Sequence, residues 1–96
     1  MREIRFTGEQ LLTKYLDRLN NEFSLYRKNE RTFEQSKVLV YAIDMQLENM
    51  IYALKDFYLI SEEQVDELLK EKKEIYKRTL NRMSITKEVR DNYDVC

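Results

Sequence analysis

Apolar residues recur every three or four positions through three stretches of the chain, which is the spacing of one face of an α-helix. The pattern predicts helices over about 8–27, 33–58 and 62–83, followed by a short helical segment over 87–93. Thr86 is the expected N-cap of that last segment, which is too short to be stable unless it packs on the other helices. The connections between the three long stretches are short, so successive helices are expected to be antiparallel neighbours.

Each of the three predicted helices begins with a capping box, in which Ser or Thr is followed three residues later by Gln. The motif reads TGEQ at 7–10, TFEQ at 32–35 and SEEQ at 61–64. The hydroxyl accepts a hydrogen bond from a backbone N–H of the first turn, and the Gln side chain accepts one from the cap residue. Phe6 and Ile60 precede two of the boxes, where an apolar residue forms the hydrophobic staple of a helix start.

The first predicted helix carries one apolar stripe along its length. That stripe is formed by Leu12, Leu16, Leu19, Phe23 and Tyr26. The third helix carries a comparable set of core positions, formed by Val65, Leu68, Leu69, Tyr76, Leu80 and Met83. Its middle segment KEKKE, at 70–74, is wholly charged, so only the aliphatic stem of Lys72 is expected to cover the apolar seam there.

The second predicted helix is apolar on two sides. One side carries a seam that steps by three and four residues, formed by Val40, Ile43, Leu47, Met50, Leu54 and Phe57. The opposite side carries a second stripe, formed by Val38, Tyr41, Met45 and Tyr52. The first side packs on the other two helices, so the second stripe is predicted to form an interface with a second copy or a partner protein, since Tyr and Met are favoured at interfaces. The alternative is that these four residues complete a core within one chain.

Composition supports a helical protein of one domain. The 96 residues are 43% hydrophobic and 36% charged, with one Gly and no Pro, which disfavours sandwiches and barrels that depend on those residues for turns. The expected fold is therefore a single all-α domain over 1–96. Its predicted architecture is a three-helix up-down-up bundle with a long central helix and a short C-terminal helical segment, forming a homodimer.

Charge is uneven along the chain although the net charge is only −1. Residues 70–90 carry eight Lys or Arg and three Glu, so one helix face could lie along the phosphates of a nucleic acid. The candidate contacts are Lys70, Lys73, Lys77, Arg78 and Arg82. The alternative is a solvated helix face whose cations lie toward the negative end of the helix dipole, and the low net charge favours this second interpretation.

Several chemistries lack the residues they need. The chain has no His, its one Cys is Cys96, and its one Gly cannot form a phosphate-binding loop, so no catalytic residue, cofactor or metal is expected. The four acids of SEEQVDE, at 61–67, are interpreted as a solvated first turn that the helix dipole favours, rather than as a cation site. The absence of internal disulfides, of a signal-peptide pattern and of a membrane-length apolar run leads us to expect a cytoplasmic protein that does not bind membranes.

The expected function is that of a non-catalytic helical interaction module. The chain would act as a dimeric adaptor, regulator or inhibitor by occupying the surface of an unidentified partner protein. Lys, Asn, Ile and Tyr are abundant while Ala, Gly and Pro are scarce, a composition typical of AT-rich genomes, which agrees with a phage or mobile-element origin. The alternative function is a dimeric nucleic-acid-binding regulator that uses the basic face over 70–90.

Overall fold

The computed structural model describes residues 8–94, and every regular element in that range is an α-helix. Helix α1 comprises Gly8–Arg27, α2 comprises Phe33–Asp56 and α3 comprises Glu62–Asp94. The prediction of an all-α protein with three main helices is therefore confirmed, and each helix packs against the other two. The molecule measures 62 × 23 × 17 Å. Within 8–94 no helix has a stretch long and apolar enough to span a lipid bilayer.

Helix α3 continues without a break to Asp94, so the predicted helix end at Met83 and the separate segment over 87–93 are wrong. Thr86 is not an N-cap, because its Oγ1 donates a hydrogen bond to the carbonyl oxygen of Arg82 at 2.9 Å within the helix. Met83 is fully buried, so packing continues through the predicted break. The segment contains neither Gly nor Pro, the residues that most often end a helix, and therefore extends as far as its packing supports it.

Capping boxes open α2 and α3 as predicted. The backbone N–H of Gln35 donates to Thr32 Oγ1 at 3.1 Å, and the backbone N–H of Thr32 donates to Gln35 Oε1 at 3.0 Å. Ser61 and Gln64 form the same reciprocal pair at 3.1 and 2.8 Å. These bonds satisfy backbone donors that a helix start leaves without intrahelical partners.

The start of α1 lies at a close approach to α3. The predicted capping box at 7–10 and its staple residue Phe6 fall partly or wholly outside the described residues. Gly8 packs so closely on α3 that an added Cβ would lie 2.5 Å from Leu68 Cδ2. A larger residue at this position would require the flexible Leu68 side chain to move.

Helix α1 ends in a Schellman motif that uses no glycine. Asn29 adopts a left-handed conformation, with φ of 62°. The backbone N–H of Glu30 donates to the carbonyl oxygen of Leu25 at 2.9 Å, and that of Asn29 donates to Tyr26 at 3.1 Å. This is the pair of bonds by which Schellman motifs satisfy the last carbonyls of a helix, and Asn is the usual substitute for glycine there.

Helix α2 ends in the same motif. Tyr58 is the left-handed residue here, with φ of 59°. Its backbone N–H donates to the carbonyl oxygen of Lys55 at 2.9 Å, and the backbone N–H of Leu59 donates to the carbonyl oxygen of Leu54 at 2.9 Å. For a residue with a bulky side chain the left-handed conformation costs about 1–2 kcal/mol. The hydrogen bonds of the motif and the packing of the following helix therefore hold Tyr58 in an unfavourable backbone conformation.

Helix α1 buries one continuous face. Its buried residues are Leu11, Tyr15, Leu19, Phe23 and Tyr26. The predicted stripe is correct from Leu19 onward and wrong by one position before it, since Leu12 is half-buried and Leu16 is 40% exposed. Tyr15 occupies the core instead because its hydroxyl has a buried hydrogen-bond partner on α2.

The buried face of α2 follows the predicted seam and then departs from it. Its buried residues are Ser36, Val40, Ile43, Asp44, Leu47 and Ile51. Ile51 is fully buried, whereas Met50, the predicted seam residue, is 47% exposed. A straight helix has 3.6 residues per turn, so a 3.5-residue repeat drifts by about 20° per heptad and the buried position moves by one residue. Leu54 is half-buried as predicted, but Phe57 lies beyond the helix end and is 76% exposed.

Helix α3 packs along both other helices. Its buried residues are Val65, Leu68, Lys72, Thr79 and Met83. Leu69, Tyr76 and Leu80 are partly buried against the same core. The stem of Lys72 covers the seam in the charged middle segment, as predicted, but its ammonium group is buried as well.

Candidate functional site

The second stripe of α2, which we call the α2 stripe, consists of Val38, Tyr41, Met45 and Tyr52. At 100° per residue these four side chains fall within about 60° of the helix circumference. In the single chain Val38 is 66% exposed, Tyr41 is 56% exposed and Tyr52 is 43% exposed, while Met45 is half-buried. The four residues therefore do not complete the core of one chain, and they leave a coherent apolar strip on the surface of α2.

Tyr76 on α3 lies beside this strip. It is half-buried, and burial raises the pKa of its phenol, with Asp44 and Tyr41 adding to the increase because each disfavours a second negative charge. Tyr76 thus stays neutral over the physiological range and extends the apolar strip of α2 onto the neighbouring helix.

A polar network of one side chain from each helix lies in the middle of the bundle. Lys72 Nζ donates to Asp44 Oδ1 at 2.9 Å and to Oδ2 at 3.0 Å, and the Tyr15 hydroxyl donates to Asp44 Oδ1 at 2.9 Å. Each of the three residues is less than 10% exposed. A buried ion pair of this kind contributes little net stability, but it strongly penalises packings in which either charge loses its partner.

The tyrosine of this network is held neutral. Burial raises the pKa of the Tyr15 phenol well above its usual value, and the hydrogen bond to Asp44 and the negative charge of that carboxylate raise it further. Tyr15 is therefore a hydrogen-bond donor throughout the physiological range. Every polar side-chain atom of the network has a hydrogen-bond partner, and the network connects α1 and α3 to the same residue of α2.

The predicted nucleic-acid contacts do not form one surface. All five side chains are exposed, and Lys70, Lys73 and Lys77 fall within about 60° of the α3 circumference at 100° per residue. Arg82 lies on the side that faces α1, with its guanidinium 4.5 Å from the ring centroid of Phe23. Arg78 Nε donates to the carbonyl oxygen of Glu74, at 3.4 Å, within its own helix. The structure brings together the three lysines and separates the two arginines from them.

Arg90 anchors the distal part of α3 to the end of α1. Its Nη1 donates to the carbonyl oxygen of Tyr26 at 2.9 Å, and its Nη2 donates to the carbonyl oxygen of Arg27. The guanidinium also lies 4.7 Å from the ring centroid of Tyr26. A cation here satisfies the last carbonyls of α1 and complements the negative end of its dipole.

The connection between α2 and α3 exposes three consecutive apolar side chains, which we call the apolar tip. Phe57 is 76% exposed, Tyr58 is 94% exposed and Leu59 is 57% exposed. The first turn of α3 follows directly and carries Glu62 and Glu63, two of the four acids of the SEEQVDE segment. In the described residues no group of three or more His, Cys, Asp or Glu side chains is arranged to hold a metal ion.

Sequence reasoning missed the polar network and the apolar tip. Asp44 lies four residues after Val40 and three before Leu47, and Lys72 lies at a core position of α3, so a shared helical register was the available signal for a buried pair. For the tip the signal was three successive apolar residues, since consecutive positions cannot all face one core.

Comparison with known proteins identifies no relative: the sequence matches no family model, and neither the curated proteins nor the solved structures contain a similar chain.

Proposed function

We propose that this chain is a non-catalytic interaction module, an up-down-up three-helix bundle that pairs with a second copy through the α2 stripe. The dimer acts as an adaptor, regulator or inhibitor by occupying the surface of a partner protein. Two contacts between each pair of helices support antiparallel packing of α2 against both neighbours. Tyr26 contacts Phe33 and Tyr15 contacts Asp44, so the contact positions move backward along α1 as they move forward along α2. The pairs Lys55–Glu62 and Asp44–Lys72 follow the same relation between α2 and α3.

One observation carries the proposal, namely the exposed strip formed by Val38, Tyr41, Met45 and Tyr52. From the first to the last of these residues the strip runs about 21 Å at 1.5 Å per residue, a length suited to helix-on-helix contact across a two-fold axis. The adjacent half-buried Tyr76 widens it. An apolar strip of this kind on a small single chain marks an interface.

The test compares charge substitutions on the two faces of α2. Met45→Asp with Tyr52→Asp is expected to leave the helical circular dichroism intact and to convert dimers to monomers in sedimentation equilibrium. Leu47→Asp, on the buried face of the same helix, is the matched control and should unfold the chain, because the new charge has no partner in the core. A wild-type chain that sediments as a monomer at all accessible concentrations contradicts the proposal.

A dimeric nucleic-acid-binding regulator is the second candidate, supported by the exposed cluster of Lys70, Lys73 and Lys77. Binding to mixed-sequence DNA or RNA at low salt should weaken as salt is added, with a slope set by the number of phosphates contacted. Changing the three lysines to Glu should abolish that binding, whereas Arg82→Ala should leave it unchanged. The absence of any binding at low salt excludes this candidate.

A further inference from the structure

The apolar tip is a surface distinct from the α2 stripe. Phe57 follows Tyr52 by five residues, which places it about 140° around the helix axis from the stripe. At roughly 200 Å² per aromatic side chain, the exposed fractions of the three tip residues amount to on the order of 400 Å². Patches of this size on a small protein are often functional, and a dimer formed through the α2 stripe would leave this one uncovered.

Carboxylates surround the tip. Asp56 precedes it, and Glu62 and Glu63 follow it in the first turn of α3, all three exposed. Lys55 Nζ lies 3.5 Å from Glu62 Oε1 and offsets one of the three negative charges, which leaves these four side chains with a net charge of −2. The rim of the tip is therefore acidic.

A depression of about 230 Å³ opens beside the tip, between the starts of α1 and α3. Three apolar side chains line it, namely Leu12, Ile60 and Leu68. Three carboxylates also line it, namely Glu9, Glu67 and Glu71. Ile60 lines the depression and directly follows Leu59 in the chain, so the depression lies next to the connection that carries the apolar tip.

The charges decide what kind of molecule this end accepts. A second copy related by a two-fold axis through the tip would bring two acidic rims face to face, which is repulsive. A membrane surface carrying anionic lipid would be repelled for the same reason. A segment with apolar residues on one side and Lys or Arg at its edges would pack its apolar side on the tip and pair its cations with the rim carboxylates.

We propose that the apolar tip and the acid-lined depression form a docking surface for a basic amphipathic helix of a partner protein. The apolar side of that helix packs against Phe57, Tyr58 and Leu59. Its Lys or Arg side chains lie against the rim carboxylates and enter the depression. This is the helix-on-surface mode of peptide recognition, with apolar anchors for affinity and complementary charge for selection.

The experiment titrates the isotope-labelled full chain with a synthetic Leu/Lys amphipathic helix and follows backbone amide shifts. A Leu/Glu peptide with the same apolar pattern is the matched ligand control. The Leu/Lys peptide is expected to shift amides centred on 56–68, together with those of Glu9, Leu12 and Glu71 that line the depression. The Leu/Glu peptide is expected to shift none. Phe57→Ser with Leu59→Ser should weaken binding by about tenfold or more, as expected when the anchors of an interface are removed.

Two further variants separate specific docking from general attraction to an acidic protein. Glu62→Gln with Glu63→Gln should weaken binding and flatten its salt dependence. Ile85→Ser with Val89→Ser removes exposed apolar residues from the distal part of α3 and should leave binding unchanged, because these residues are 52% and 48% exposed but lie outside this surface.

Equal binding of the two peptides, shifts centred outside 56–68, or insensitivity to the tip variant would each overturn the proposal. Tip-dependent binding to phosphatidylcholine vesicles in place of the peptide would replace the protein partner with a membrane and would also overturn it. Repeating the titration on the Met45→Asp, Tyr52→Asp variant keeps the outcome separate from the proposed dimer, since loss of dimerisation there should leave the tip intact.

Discussion

Residues 28–32 and residues 57–61 join successive helices with the same backbone hydrogen bonds but in opposite surroundings. Each connection begins with a Schellman motif around a left-handed residue and ends with a capping box. The distal part of α3 extends past the first connection and packs on the helix ends beside it, so we call this the covered end of the bundle; the polar side chains of the connection itself are mostly exposed. There Arg90 bonds the end of α1 and Lys87 Nζ lies 5.6 Å from the ring centroid of Phe33. The second carries the apolar tip, whose side chains are exposed within residues 8–94, so we call this the open end.

Local motifs determine the path of the backbone at both connections, whereas helix lengths determine which connection a third helix extends past. Helix α3 has 33 residues against 20 in α1 and 24 in α2, so it extends past the first connection. Folding alone would favour polar side chains in both connections, since most side chains of both are exposed within residues 8–94. Apolar residues at the uncovered end are therefore better explained by binding than by folding.

The largest effect is expected between the covered and the open end, where Lys72 pairs with Asp44 in the core. Lys72→Met should lower the free energy of unfolding by about 3–5 kcal/mol, because Asp44 would remain buried without its cation. Urea denaturation followed by circular dichroism measures the loss. Amide hydrogen exchange should become faster at the covered end and at the open end of the bundle together.

Replacing the whole network provides the control for that variant. Tyr15→Phe with Asp44→Leu and Lys72→Met leaves no uncompensated charge and should recover most of the lost stability. A Lys72→Met variant as stable as the wild type would show that Asp44 is not held as described.

A smaller effect is expected from loosening the covered end. Arg90→Ala should cost about 2 kcal/mol, within the range for hydrogen bonds made by a charged group, and should increase hydrogen exchange at the end of α1. Arg82→Ala is the matched control, since Arg82 also lies over an aromatic ring but has no described bond to a helix end. If the two variants lose equal stability, the carbonyl bonds of Arg90 contribute nothing.

The capping boxes test whether the two connections are equivalent in their backbones. Thr32→Ala and Ser61→Ala should each cost about 1 kcal/mol in thermal or urea unfolding. Similar losses would show that the open end is as well formed as the covered one. If Ser61→Ala left the free energy of unfolding unchanged, the start of α3 would be frayed, and the two connections would not be equivalent.

The smallest effect is a gain of stability at the left-handed residues. Tyr58→Gly should stabilise the chain by up to about 1 kcal/mol, because glycine adopts this conformation without strain and the 94% exposed ring loses little packing. Asn29→Gly should gain less, since Asn tolerates the conformation better. Thermal unfolding of both variants measures the difference, and destabilisation by Tyr58→Gly would show that the ring is packed.

Much of the fold could be predicted from local pattern. The periodicity and the capping boxes located the starts of α2 and α3, because a cap is made by residues close together in sequence. The core register was predicted less well: Met50 was expected where Ile51 is buried, and Leu16 was expected inside but is exposed. Register depends on how a helix meets its neighbours, and a heptad pattern does not contain that information.

The candidate surfaces also differ in how far the sequence alone predicts them. The α2 stripe was visible as a second apolar periodicity, and the structure leaves most of it exposed in the single chain. The clustering of Lys70, Lys73 and Lys77 follows from helical spacing, but the separation of Arg82 depends on the position of Phe23 on α1. The apolar tip required knowing where α2 ends, since Phe57 was assigned to a helix that stops one residue before it.

By itself the amino-acid sequence determined that the chain is helical, where the second and third helices begin, and that the second is apolar on two sides. These properties arise from spacings of three to seven residues and from hydrogen bonds within one turn. The three-dimensional structure was needed to show that α3 continues through its predicted end and extends past the first connection, and that Asp44, Lys72 and Tyr15 meet in the core. These outcomes depend on contacts between residues about 28 to 64 positions apart, whose energies no local pattern encodes.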